Sequence, residues 1–361
     1  MKKFKRRGAL AAVMVVISIL ILGLFQRLVS PKYMTTLTDG AFIAEYYDET
    51  LPHDVLFIGD CEVYENISPI TMWEQYGITS YIRGSAQQLI WQSYYLLEES
   101  LKYETPRVVV FNVLSMKYGE PQNEAYNRLT LDNMKWSLSK WNAILASMTE
   151  EEHAIEYIFP LLRYHSRWNQ LTAEDFDYYF TKKKHTHNGY YMRVDTRAVS
   201  TVPREKPLPD YQFSDVCYEY LDKMRILCEE NGIQFVLMKA PSIYPSWYDE
   251  WEKQMDAYAQ KHGLTYFNFL ELSAETGIDM QTDTYDMGLH LNVNGAEKLA
   301  GYLGNQLQTA YSLPDHRADE NYQKVWREKT DFYNQMKEDQ YKELEEYGYL
   351  KSYGAAEPEQ N

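Results

Sequence analysis

Val55-Leu56-Phe57-Ile58 runs without a polar residue into Gly59-Asp60-Cys61. A short apolar run that stops at a glycine reads as a fully buried strand ending in a tight turn, here a turn presenting a side chain able to act as a nucleophile. The following stretches repeat the unit. Pro69 suits the first turn of a helix ending near Gln75, Ile78–Ile82 reads as a second strand closing on Arg83-Gly84-Ser85, Gln88–Leu101 as a helix, and Val108–Phe111 as a third strand ending at Asn112. Strand, helix, strand, helix, strand predicts a parallel α/β sheet. In such sheets the site forms at the carboxyl ends of the strands, where Cys61, Gly84 and Asn112 fall.

Ahead of this core, Lys2, Lys3, Lys5, Arg6 and Arg7 precede Gly8–Phe25, which holds no charge. Its 18 residues span about 27 Å at 1.5 Å per residue, most of the hydrocarbon thickness of a bilayer. Leu24-Phe25-Gln26-Arg27-Leu28 offers no small-x-small cleavage site, so residues 1–30 read as a basic cytoplasmic tip and an uncleaved signal anchor. The basic residues place the chain from about Ser30 onward outside, as a single-pass protein of the cell membrane.

A helix from Asp39 to about Glu49 leads into the α/β domain, 31–312. From about 115 to 210 no alternating strand appears, and this stretch reads as a helical insertion. Phe159–Trp168 within it gathers Arg163, His165 and Arg167 beside aromatic rings; with Arg83 these are candidate substrate contacts, since guanidinium pairs with carboxylate or phosphate in bidentate fashion. The alternative is a helix whose cations face water. Lys182-Lys183-Lys184 reads as a solvated turn. The α/β pattern resumes with a helix through Phe213, Val216, Tyr220, Met224 and Leu227, a strand at Phe235–Met238, a fifth at Leu264–Phe267 and a helix at Gly295–Gln308. Residues 313–361 form a charged segment with an apolar stripe at Tyr322, Trp326, Tyr333, Met336 and Leu344, read as a peripheral or partner-binding helix before a disordered tail from Gly354.

Composition narrows the function. A net charge of −16 disfavours a nucleic-acid partner, which needs a basic face. The 33 tyrosines read as core and surface filler or as platforms for sugar faces. Cys217 and Cys228 lie about 16 Å apart along one helix, too far to bridge, and Cys61 is then a free thiol. No Cys/His spacing suggests a zinc site, and no cofactor motif appears.

Gly59-Asp60-Cys61 resembles the first block of the SGNH/GDSL hydrolase superfamily, a strand delivering Gly-Asp-Ser, with cysteine in place of serine. Gly84 lies where that family places its oxyanion glycine, Asn112 where it places its asparagine, and Asp286 and His290 resemble its closing Asp-x-x-His with one extra residue between them. The resemblance covers roughly 50–115 and 210–310. It implies a flavodoxin-like three-layer sheet, with Cys61 as nucleophile, His290 as base, Asp286 orienting it, and the Cys61 and Gly84 amides and the Asn112 side chain as oxyanion donors; Asp60 belongs to the same block. With the anchor, the chain is similar to exported acyl-transfer relatives such as teichoic-acid D-alanyl transfer proteins and alginate O-acetyltransferases, which implies a cell-surface glycan or teichoic acid as substrate and a membrane-embedded partner. Two classes follow: an extracytoplasmic acyltransferase or esterase, or an inactive SGNH-like glycan-binding or scaffold protein in which Cys61 is a small buried residue.

Overall fold

The computed structural model describes residues 2–31, 41–181, 184–202, 204–243 and 247–353. Its elements are α1 (Lys2–Val29), β1 (Val55–Gly59), α2 (Cys61–Tyr64), α3 (Pro69–Tyr76), β2 (Ser80–Gly84), α4 (Ile90–Ser100) and β3 (Val108–Asn112). Next come α5 (Glu124–Leu131), α6 (Leu138–Ser147), α7 (Ala154–Ile158), α8 (Leu161–Tyr164) and α9 (Ala173–Thr181). Then α10 (Asp215–Glu230), β4 (Gln234–Lys239), α11 (Asp249–His262), β5 (Thr265–Asn268), α12 (Val293–Tyr311) and α13 (Glu320–Tyr347) complete the chain. The expected Asp39–Glu49 helix is a short turn of helix at Ala41–Ala44 with a 3-10 continuation, and its first residues, like Lys182, Lys183 and the tail from Gly354, lie outside the described residues.

The five strands form one parallel sheet in the order β2-β1-β3-β4-β5, the doubly wound flavodoxin-like arrangement. Alternate side chains of the same strands feed two cores. Val55, Phe57, Val108, Val110, Val236 and Met238 pack with α3, α12 and α13 on one face. Leu56, Ile58, Val109, Phe111, Phe235 and Leu237 pack with α4, α10 and α11 on the other. Both faces are covered at the centre of the sheet, which is why β1, β3 and β4 read as apolar runs.

The second strand lies two residues beyond the stretch marked by its isoleucine run. Thr79 is held by Asp54 before the ladder starts, through its amide and its hydroxyl, and the ladder then continues until Gly84 pairs with Gly59. This register puts Arg83 inside the sheet. The end of β1 requires glycine at 59, because a Cβ there would lie 2.5 Å from Val63 Cγ2 and 2.9 Å from Asn112 Cβ.

The 115–210 stretch is helical from α5 to α9, but its later part belongs to the core. Asn188 O accepts from Ile82 N along the outer edge of β2, and Tyr190, Met192 and Val194 are buried among α3 and α13 residues. The helix α13 packs on its own domain: Trp326 stacks on Trp73 with ring centroids 5.0 Å apart, and Gln340 holds the backbone of Met192 and Val194.

Many tyrosines share one task. Tyr46, Tyr333 and Tyr266 donate to Glu104, Glu297 and Glu252 at 2.8–2.9 Å, and Tyr47 and Tyr157 donate to Glu99 and Glu152. A phenol satisfies a desolvated carboxylate while its ring fills the core. The excess of tyrosine and of acid are thus two halves of one packing device.

α1 is long and apolar enough to cross a membrane; its span, Arg7–Val29, is 23 residues and is uncovered except at its last turn, where Val29 is buried.

Candidate active site

Cys61 opens α2 directly after the end of β1, with Asp60 as the cap whose carboxylate accepts from Glu62 N at 3.2 Å. His290 arrives from the loop before α12. Asp286 Oδ2 lies 2.6 Å from His290 Nδ1, and Asp286 Oδ1 accepts from His290 N at 2.8 Å and Leu289 N at 3.2 Å. The extra residue between acid and histidine is absorbed by a left-handed pair, Met287 at φ 69° and Gly288 at φ 93°. Glycine at 288 meets a second need, since a Cβ would lie 2.3 Å from Ile243 Cγ1.

His290 is 7% exposed, and among the described residues its buried Nε2 has no hydrogen-bond partner of good geometry, Cys61 being the side chain that interacts with the ring. With Nδ1 committed to Asp286, Nε2 is the nitrogen available for proton transfer. Cys61 Sγ, a Glu65 carboxylate oxygen and a His290 ring nitrogen all lie within 4.8 Å of one another. Glu65 comes from the same helical turn as Cys61, four residues on; its Oε2 is 3.5 Å from His290 Nδ1 and accepts from the Tyr285 hydroxyl. The Arg193 guanidinium lies over the Tyr285 ring, 4.5 Å from its centroid, and Asn66 Oδ1 accepts from Leu291 N at 2.8 Å, tying the two loops together.

Burial pushes the Cys61 thiol up to about 11, with His290 pulling it part of the way back. Burial would push the imidazole down, but Glu65, Cys61 and Asp286 outweigh it and hold His290 well above the usual histidine range. Burial raises Glu65 to about 7 from 4.5, against the opposing pull of His290. The folded chain thus holds an extra proton on Glu65 between those values, and stability falls as pH rises through them. Glu65→Gln is expected to stabilise the fold by on the order of 1–3 kcal/mol at about pH 8 and by little at acid pH, read from denaturant midpoints. An equal gain at both pH values would show that the carboxyl's charge is not what the fold pays to bury.

Asn112 is placed beneath this turn with its side chain facing inward. Its Nδ2 donates to Asp60 Oδ1 at 3.2 Å and Glu62 Oε2 at 3.1 Å, and its Oδ1 accepts from Ala240 N at 3.0 Å. Both amide hydrogens are therefore spent, and the oxyanion role expected of this side chain has no free donor here. Gly84 is at the expected strand end, where a Cβ would sit 3.0 Å from Gly59 O.

The four candidate substrate contacts are not brought to Cys61. Arg83 is wholly buried, its guanidinium donating to Glu99, Ser100 and the Ile43 carbonyl under the rings of Tyr46 and Tyr47. Arg163 pairs with Glu124, Arg167 with Asp175 and the Val29 and Ser30 carbonyls, and His165 Nδ1 faces Leu162 O. Arg167 thereby ties the insertion to the end of α1 and Arg163 ties it to α5, so the two charges are used within the fold.

The sequence reading did not include Glu65, Asn66, Tyr285 and Arg193. Only Glu65 carried a local signal, its spacing of four from Cys61. Cys61, Glu65 and His290 also form a thiol, carboxylate and imidazole set of the kind zinc accepts once the thiol is deprotonated, with His290 brought in from more than two hundred positions away.

No protein-family model matches the chain, and no curated protein matches it. Among solved structures the chain is similar to a crystal structure from Bacteroides fragilis NCTC 9343 of a protein provisionally described as an acylhydrolase, with 14% identity, a TM-score of 0.36, and coverage of 74% of this chain and 95% of that one.

Proposed function

We infer that the chain is a membrane-anchored acyltransferase or esterase of SGNH/GDSL-like type, with Cys61 as nucleophile and cell-surface glycan or teichoic acid as acceptor. The observation that carries this reading is the His290 imidazole, fixed through Nδ1 by Asp286, with a ring nitrogen within 4.8 Å of Cys61 Sγ and a buried Nε2 that no other side chain engages among the described residues. As Cys61 attacks an acyl carbonyl, its proton passes to Nε2, the carbon–oxygen bond breaks, and the leaving alkoxide takes that proton. A glycan hydroxyl, or water, then gives its proton to Nε2, attacks the thioester, and expels the thiolate, which is reprotonated. Because burial holds the resting thiol neutral, proton transfer must accompany attack. The acyl group would come from a membrane-embedded partner.

A second reading is an inactive glycan-binding or scaffold protein. It is favoured by the inward-facing amide of Asn112 and the raised thiol of Cys61. One experiment separates the two. Incubation with an activated ester is expected to leave an acyl mass on the Cys61 peptide, labile to hydroxylamine, absent in Cys61→Ala and replaced in Cys61→Ser by a stable oxygen ester. No acylation in the wild type or in Cys61→Ser, with glycan binding intact, leaves the scaffold reading standing.

A further inference from the structure

We propose that the helices α7–α9, with the turn between α8 and α9, form a platform that lies in the lipid headgroup and acyl boundary of the membrane crossed by α1; the proposal rests on α1 being a membrane anchor. The position follows from the end of the span. Arg7–Val29 is 23 residues, about 34 Å of helix against about 30 Å of hydrocarbon, so the last turn of α1 emerges at the bilayer surface. The insertion is fastened there: α1 touches α8, α9 and the turn between them, and Arg167 Nη1 donates to the Val29 and Ser30 carbonyls at 3.2 and 3.3 Å. Gly23, Gln26 and Arg27 of α1 share a cleft of about 320 Å³ with Trp136, Ile158 and Pro160. The cleft reaches Gly23, so the insertion faces α1 over its last two turns.

The surface it presents there carries large exposed apolar side chains beside the exposed Arg163, His165 and Asp177. Ile155 on α7, Phe159 at its end and Leu162 on α8 are about half exposed, Phe176 and Phe180 lie at i and i+4 on α9, and Trp168 is 64% exposed. Single exposed hydrophobics are ordinary, but a cluster of large ones around the emerging end of an apolar span is not. Short helices with aromatic and aliphatic side chains at this depth match an interfacial segment, whose rings sit at headgroup level. The cations of the region do not oppose burial, since Arg163 is paired with Glu124 and Arg167 with Asp175. The bilayer is the occupant favoured over a protein partner because the patch is continuous with the lipid-facing surface of α1, whose leucines and isoleucines at 10–24 are equally uncovered.

The test uses the full-length chain in its native membrane, with p-benzoylphenylalanine incorporated singly at positions 20, 159, 168, 176 and 226. Leu20 is within the span, and Ile226 is an exposed apolar residue of α10 that serves as the control. After irradiation a phospholipid mass is expected on the peptides carrying 20, 159, 168 and 176, and none on that carrying 226. Lipid adducts at 20 without any at 159, 168 or 176 overturn the platform while leaving the anchor intact. Adducts to a second protein at those three positions overturn it in favour of a partner. Absence of lipid at 20 removes the anchor, and the platform with it.

Discussion

Lys239→Met will destabilise the folded chain by about 3–5 kcal/mol, because it strips the paired ammonium from a carboxylate that water cannot reach. Lys239 Nζ lies 2.8 Å from both oxygens of Glu62 and donates to the Ala240 carbonyl, and both side chains are fully buried. Glu62 sits next to the nucleophile position, and its Oε2 also receives the Asn112 amide. The same amide reaches Asp60, whose carboxyl is pushed up to about 6 by burial and by the neighbouring Glu62. Removing the ammonium leaves two crowded carboxyls with the Asn112 amide, the Glu62 N–H on Asp60 and the charge of Lys117. Glu62→Gln together with Lys239→Met should recover much of the loss, since a neutral pair of similar volume needs no counter-ion. Equilibrium unfolding measures both. A single-variant loss below about 1 kcal/mol would mean that Glu62 finds another partner, and the pair would not be what fixes the strand ends under Cys61.

Which features were legible in the sequence follows from how far apart their determinants lie. The central strands are encoded within themselves: an apolar run covered on both faces looks the same wherever it is placed, so β1, β3 and β4 and the position of Cys61 just after a strand end could be read directly. The limits of β2 could not, because they depend on Asp54 holding Thr79 and on Gly84 reaching Gly59 across the sheet. That two-residue extension turned Arg83 from a rim residue into a buried one paired with Glu99. The Asp286–His290 pair was visible, but its geometry rests on Met287 and Gly288 taking left-handed angles, which makes a five-residue block close as tightly as a shorter one would. Glu65 was not legible as a site residue, because Tyr285 and His290, which give it meaning, lie more than two hundred positions away. Arg163 and Arg167 show the opposite failure: a dense local cluster of cations suggested a ligand, whereas Glu124, Asp175 and the end of α1 use the charges internally.

His290→Ala is expected to lower the rate of acylation of Cys61 by about 10²–10⁴-fold while leaving the fold intact, the usual contribution of a positioned general base. The base works only when neutral. Glu65, Cys61 and Asp286 hold His290 above its ordinary range in spite of burial, so the wild-type rate should climb as pH rises through neutrality and onward, instead of levelling off near pH 6.5 as it would for a free imidazole. Glu65→Gln removes the first of those raising influences, and the climb should shift to lower pH with the maximal rate little changed. Asp286→Asn should behave differently, because it weakens the orientation of the ring through Nδ1 as well as its basicity, and the maximal rate itself should fall. The pH profile of acylation therefore assigns the two carboxylates separately: a shift along the pH axis for Glu65, a drop in the plateau for Asp286. If His290→Ala acylates at the wild-type rate across the whole profile, proton transfer does not pass through this imidazole, and the Asp286–His290 pair serves only to hold the loop against α2.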